Sequence, residues 1–193
     1  MSRQTAKRRD EHRVNGVHVD RLFDTIDAIK SEPDIAKFKF RISNKWIDGG
    51  HNHTTIKDFH GALKDHPHEQ PFELAADEPG VLLGQDNGPN PVEYLLTALA
   101  GCLTSSLVYH AAARGIEVRG IESRLEGNLD LRGFLGLSKD VPVGYEEIRV
   151  FFKIDADITE QEKQELIESA RKYYPVFNTV SSPTKVTIQL KGE

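Results

Sequence analysis

The sequence predicts an α+β protein in which antiparallel sheet packs on helices, and three observations lead there. From Tyr94 to Ala113 the chain carries no Asp, Glu, Lys or Arg, so one long helix is apolar on every side. Stretches with the two-residue alternation of half-buried strands flank it, Phe38 to Trp46 before and Ile148 to Ile154 after. From that helix onward the order reads helix, two strands, helix, strand, which lacks the regular alternation of parallel βαβ units.

Composition bounds the function. The 193 residues suffice for one domain, or for a core domain with an N-terminal appendage, and no internal repeat or low-complexity tract divides them. One cysteine cannot form an internal disulfide, and no charged-apolar-small signal pattern follows Met1, so the expectation is a cytoplasmic protein. A net charge of −5, from 30 acidic and 25 basic residues, argues against nucleic acid or an anionic membrane as general partners. Lys7, Arg8 and Arg9 are the local exception, and without interleaved aromatics they read as a solvated terminus.

Taken in order, Val19, Leu22, Phe23, Ile26 and Ile29 keep helical spacing until Pro33, an amphipathic helix. Phe38, Phe40, Ile42 and Trp46 follow as a strand, Asp48-Gly49-Gly50 as a turn, and His53 to Phe59 as the return strand of a hairpin. The polar stretch Lys64 to Pro71 separates this from a short strand over Phe72 to Ala76. Asn90, Pro91 and Glu93 form a capping-box start for the long helix, and Arg114-Gly115 supply its end. Its length also suits a membrane span, but Thr97, Gly101, Thr104, Ser105, Ser106 and His110 interrupt it, so the expectation is a buried central helix. Ile116 to Leu131 and the Ile148–Ile154 alternation predict two antiparallel strands. Thr159 and Glu162 cap a second helix that buries Leu166, Ile167 and Ala170 and ends at Pro175, and Val186, Ile188 and Leu190 predict a closing strand.

Any chemistry centres on Cys102. It lies about three turns into its helix, too far from the N-terminus for that dipole to activate it, and Ala98, Leu99, Ser105 and Ser106 share its face. It reads either as a small core hydrophobe or as a reactive thiol. Glu93, nine residues earlier, falls on the opposite side of a straight helix, roughly 13 Å away along the axis. It serves the capping box, or it orients a cation between itself and the sulfur or acts toward a partner chain.

The run Asn90-Pro91-Val92-Glu93-Tyr94-Leu95-Leu96, with Ala100-Gly101-Cys102 after it, resembles the cysteine-bearing helix of the OsmC/Ohr family. Tyr174-Pro175-Val176-Phe177-Asn178-Thr179-Val180 resembles that family's second site, and the similarity spans about Phe38 to Leu190. The resemblance implies an OsmC-like domain over 38–193, preceded by a polar tail and helix over 1–37. It implies two chains intertwined as a homodimer with each site at the interface. It also implies thiol-dependent reduction of organic hydroperoxides or hydrogen peroxide without metal or other cofactor. Cys102 matches the peroxidatic cysteine and Glu93 the glutamate that holds an activating arginine. Tyr174 stands where the family places its second cysteine, so reduction would depend on an external thiol. The family's arginine comes from the first hairpin, whose turn here, Asp48 to His53, contains none; Arg41 is near in sequence and reads as part of the strand.

Two rival readings stay open. A non-catalytic protein would keep the interfacial pocket for a small apolar or thiol-reactive ligand. A metal-binding protein would use His51 and His53, or His66 and His68 beside Asp65 and Glu69, although none has a recognised metal-site spacing and the bland reading is a polar hairpin and a solvated loop.

Overall fold

A computed structural model describes residues 12–190 and 192, the side chain of Ala170 excepted. The basic run Lys7 to Arg9 lies outside the described residues. The fold is α+β, and the described chain forms two compact units, one made of residues 12 and 18–95 and the other of 13–17 and 96 onward.

The first unit begins with α1 (Val19–Ser31), closed by Lys30 in its last turn and a single 3₁₀ turn over Pro33–Ala36. An antiparallel sheet follows, built on the long strand β5 (His51–Gly61). Along one edge of β5 run β3 (Lys39–Phe40) and β4 (Ser43–Asp48), and along the other β6 (Lys64–Ala76). The predicted hairpin about Asp48-Gly49-Gly50 is present, with Gly49 at φ 51° as the turn requires. Arg41 falls between β3 and β4 rather than within a strand.

The segment Lys64 to Pro71, expected as a polar connection, is instead the first half of β6. Its turn is Ala62-Leu63, with both residues at positive φ (46° and 63°), the conformation that hairpins use but that Gly and Asn normally supply. Pro67 fits because it pairs with Asp58 where the β5–β6 register shifts, the kind of irregularity that tolerates a residue without an N–H. His66 therefore sits across from Phe59 and stacks on it, ring centroids 5.0 Å apart, and Phe40 meets the same ring at 5.6 Å.

The second unit contains most of α2 (Pro91–Ala113), the pair β7 (Val118–Asn128) and β8 (Glu147–Ala156), a short α3 (Leu131–Phe134) between them, α4 (Glu160–Arg171) and α5 (Pro175–Ser181). α2 ends in a Schellman motif: Ile116 N–H donates to Ala111 O at 2.9 Å and Gly115, at φ 70°, donates to Ala112 O at 3.0 Å. Leu99, Leu103, Leu107 and Ala111 recur every four residues and form its buried stripe against Ile154 and Ala156 of β8 and Leu166 of α4. Thr159 and Glu162 make the predicted reciprocal cap: Glu162 Oε2 accepts the Thr159 N–H at 2.7 Å, and Thr159 Oγ1 accepts the Glu162 N–H at 3.2 Å.

Two expectations fail here or need adjustment. α4 stops at Arg171, and Pro175 opens α5, because a proline at the first helical position loses no hydrogen bond. The closing strand does not form: Val186, Ile188 and Leu190 are 78%, 93% and 99% exposed. Alternation supplies an apolar face, but a strand also needs an edge for its N–H and C=O groups, and none pairs with this segment among the described residues. A feature not anticipated is the hairpin of β1 (Arg13–Val14) and β2 (Val17–His18) around Asn15-Gly16, both at positive φ. Asn15 fixes it to the start of β7, donating to Ile116 O at 2.9 Å and accepting from Val118 N–H at 2.8 Å.

Candidate functional site around Cys102 and Tyr174

Cys102 projects from the middle of α2, half-buried, beside the stripe that forms the core of the second unit. Its carbonyl accepts the Ser105 hydroxyl at 3.2 Å, an intrahelical bond that leaves the thiol uncommitted to that serine. Tyr174 belongs to the same core and is 1% exposed. Cys102 packs against the same apolar cluster to which Tyr174, 72 positions later, belongs.

The backbone holds Tyr174 firmly. It precedes Pro175 at the start of α5, and Asn178 grips its carbonyl twice, through the backbone N–H at 2.9 Å and through Nδ2 at 2.7 Å. The phenol oxygen, by contrast, is buried with no hydrogen-bond partner among the described residues. Burial, and secondarily the charge of the Cys102 thiolate, push the Tyr174 pKa above its ordinary value. The phenol therefore stays protonated through the physiological range, and as a neutral O–H it can donate. His110, two turns beyond Cys102 on α2, stacks on Tyr173 with centroids 6.0 Å apart. Burial and then the nearby Arg114 hold its pKa below the usual value, so it favours the neutral imidazole.

Glu93 performs the capping role: its Oε2 accepts the Asn90 N–H at 2.8 Å, while Asn90 Oδ1 accepts the Val92 N–H at 3.0 Å. Tyr94 Oη donates to Ala75 O at 2.6 Å and Asn90 Nδ2 to Glu78 Oε2 at 2.5 Å, which tie the start of α2 to the end of β6 and to the loop that follows it. Asp77 organises the connecting loop. Its buried carboxylate accepts the N–H groups of Glu78, Gln85 and Asn87 and the Asn87 side-chain amide, and these bonds, chiefly that from the Asn87 backbone, hold its pKa below the ordinary carboxylate value. The loop leaves a cleft of about 270 Å³ lined by residues including Asp48, His51, Asp77, Gln85 and Asn87; Cys102 is not part of it.

The remaining candidates are engaged elsewhere. Arg41 forms ion pairs with Asp58 and Asp65, and its guanidinium Nη2 lies 2.8 Å from the latter. His51 and His53 share a hydrogen bond, Nε2 to Nε2, at 3.1 Å. His66 and His68 lie in β6 against Phe59 and Phe72 rather than in a solvated loop. Among the described residues no three His, Cys, Asp or Glu side chains converge as metal ligands. Asn178's grip on Tyr174 and Asp77's loop carry no sequence signal, because both depend on side chains bonding to backbone, which spacing does not encode.

Comparison with curated proteins found no match. Solved structures are similar in fold. An OsmC-like protein from Mycoplasma pneumoniae matches at 21% identity with a TM-score of 0.57, covering 74% of this chain and 87% of that one. An osmotic stress induced and detoxification response protein from Psychrobacter arcticus matches at 14% identity and TM-score 0.54, covering 72% and 85%. An OsmC-like protein of unknown function from Vibrio cholerae matches at 14% and 0.52, covering 75% and 94%. The OsmC-like protein family itself matches residues 84–189, from the loop before α2 through α5, so the sequence around both Cys102 and Tyr174 falls inside the match. The chain belongs to the OsmC-like protein family.

Proposed function

We propose that this protein is a thiol peroxidase that reduces organic hydroperoxides or hydrogen peroxide with Cys102 alone. The observation that carries the reading is the half-buried Cys102 on the core helix of an OsmC-like protein, packed against the cluster that contains Tyr174. In the reaction the Cys102 thiolate attacks one peroxide oxygen. The S–O bond forms as the O–O bond breaks, and the alkoxide or hydroxide leaves and takes a proton, giving an alcohol or water and a Cys102 sulfenic acid. No second cysteine exists in the chain to condense with it. An external thiol attacks the sulfenic sulfur, releasing water and forming a mixed disulfide; a second external thiol then releases a small disulfide and restores Cys102.

The working form is a homodimer in the cytoplasm. Support for the dimer comes from the large apolar residues that one chain leaves exposed, among them Val186, Ile188 and Leu190 after α5 and Phe40 and Trp46 in the sheet. A second reading, a non-catalytic carrier of a small apolar or thiol-reactive ligand, is favoured by the loss of the second cysteine to Tyr174. Organic hydroperoxide turnover with mono- and dithiol reductants, native chain against Cys102→Ser, separates the two: Cys102-dependent consumption supports the peroxidase, and binding without consumption supports the carrier.

A further inference from the structure

We propose that the Tyr174 hydroxyl is the hydrogen-bond donor to the peroxide oxygens as they react at Cys102, and that it then donates to the sulfenic oxygen left on the sulfur. The proposal rests on the peroxidase reading of Cys102. It starts from an expensive feature of the core. Tyr174 is 1% exposed, yet its hydroxyl has no hydrogen-bond partner among the described residues, where a phenylalanine would fill the same space without stranding a polar group. Asn178 and Pro175 fix the residue's backbone, so the chain holds the phenol in place.

The surroundings of the hydroxyl are apolar. Tyr174 and Cys102 contribute to one cluster of otherwise hydrocarbon side chains, Leu99, Leu103, Leu107 and Leu166 among them, so the sulfur is the reactive group of that neighbourhood. Cys102 and Tyr174 pack in the same neighbourhood, but no O–H···S hydrogen bond joins them. Such a pair is matched by a ligand that accepts from the phenol at one oxygen while the sulfur attacks another. A peroxide has that form. As its O–O bond breaks, negative charge builds on the departing oxygen, and a donor fixed in an apolar, water-poor setting stabilises that charge without reorganising. The neutral phenol donates a hydrogen bond and keeps its proton, and the proton for the alkoxide comes from solvent.

The test is Tyr174→Phe, which removes one oxygen, keeps the ring and relieves the stranded hydroxyl. The variant should melt at or above the native temperature. Its second-order rate of Cys102 oxidation by cumene hydroperoxide, read by dimedone trapping and mass spectrometry, should fall roughly 10- to 100-fold. Alkylation of Cys102 by iodoacetamide, in which no oxygen leaves, should proceed at the native rate. Equal oxidation rates in the two proteins would overturn the donor role while leaving the peroxidase reading standing. Parallel loss of oxidation and alkylation would also overturn it, by showing that Tyr174 only shapes access to the thiol. If Cys102 resists peroxide in the native protein as well, the peroxidase reading falls and this inference with it. A measurement on the native chain needs no variant to fold: one equivalent of peroxide should shift the tyrosine Raman doublet toward a donating phenol, and an unchanged doublet with Cys102 oxidised would contradict the proposal.

Discussion

Asn178 holds the backbone carbonyl of Tyr174 with two hydrogen bonds, 2.9 Å from its own N–H and 2.7 Å from Nδ2, and so fixes the start of α5 beside the core that contains Cys102. The side-chain bond is the removable one. Asn178→Ala should cost about 1 kcal/mol by loss of the partly buried bond to Tyr174 O and the longer ones to Arg171 O and Lys172 O, seen as a lower denaturant midpoint with an unchanged slope. Unchanged stability would mean that the proline and the ring packing alone hold Tyr174.

Tyr174→Cys should create a disulfide partner for Cys102. The bond closes only if the two Cα atoms lie within about 7 Å. Removing a ring that is 1% exposed leaves a cavity, and the reduced variant should lose about 3 kcal/mol of stability. After stoichiometric peroxide, non-reducing peptide mapping should show the bond from residue 102 to residue 174, and dithiol-driven turnover should rise. A folded variant with two free thiols after peroxide would show that the residues share a core without sharing redox geometry.

Asp77 should make the loop before α2 acid-sensitive. Its folded pKa lies below the ordinary carboxylate value because three backbone N–H groups and the Asn87 amide donate to it. The stability it contributes is thus fully present above the ordinary carboxylate pKa and is lost as pH falls through the lower, folded value. Asp77→Asn should reduce the melting temperature at neutral pH and flatten its decline below about pH 4. A variant with the native acid slope would assign that slope to other carboxylates.

In solution the protein should sediment as a dimer, because Val186, Ile188 and Leu190 are almost fully exposed in a single chain. Ile188→Ser together with Leu190→Ser should raise the dissociation constant, read by analytical ultracentrifugation across protein concentrations. A native monomer at micromolar concentration would remove the interfacial site from the account.

The helices were legible where their ends carry chemistry. Asn90 and Glu93, Thr159 and Glu162, and Arg114-Gly115 all act as caps where their spacing predicted, since capping is local and each motif has one geometry. The first half of β6 was not legible, because Ala62-Leu63 makes its turn without glycine or asparagine and Pro67 argues against a strand unless the bulge opposite it is known. Asn15-Gly16 did carry a hairpin signal, but in strands two residues long no alternation accompanies it. The apolar alternation of Val186 to Leu190 predicted a strand that the single chain does not pair, since sequence reports an apolar face and not the edge that receives it. Tyr174 was found through resemblance; its stranded hydroxyl became visible only in the packed core.

The central claim is that Cys102 does the chemistry, and the most direct measurement is the second-order reaction of the reduced native protein with cumene hydroperoxide, followed by intact mass and dimedone trapping beside Cys102→Ser. The account predicts one added oxygen on Cys102, trapped as a sulfenic acid because the chain holds no other thiol, cleared by external thiol, and absent from the serine variant. A folded native protein whose Cys102 remains a free thiol under peroxide excess would contradict it.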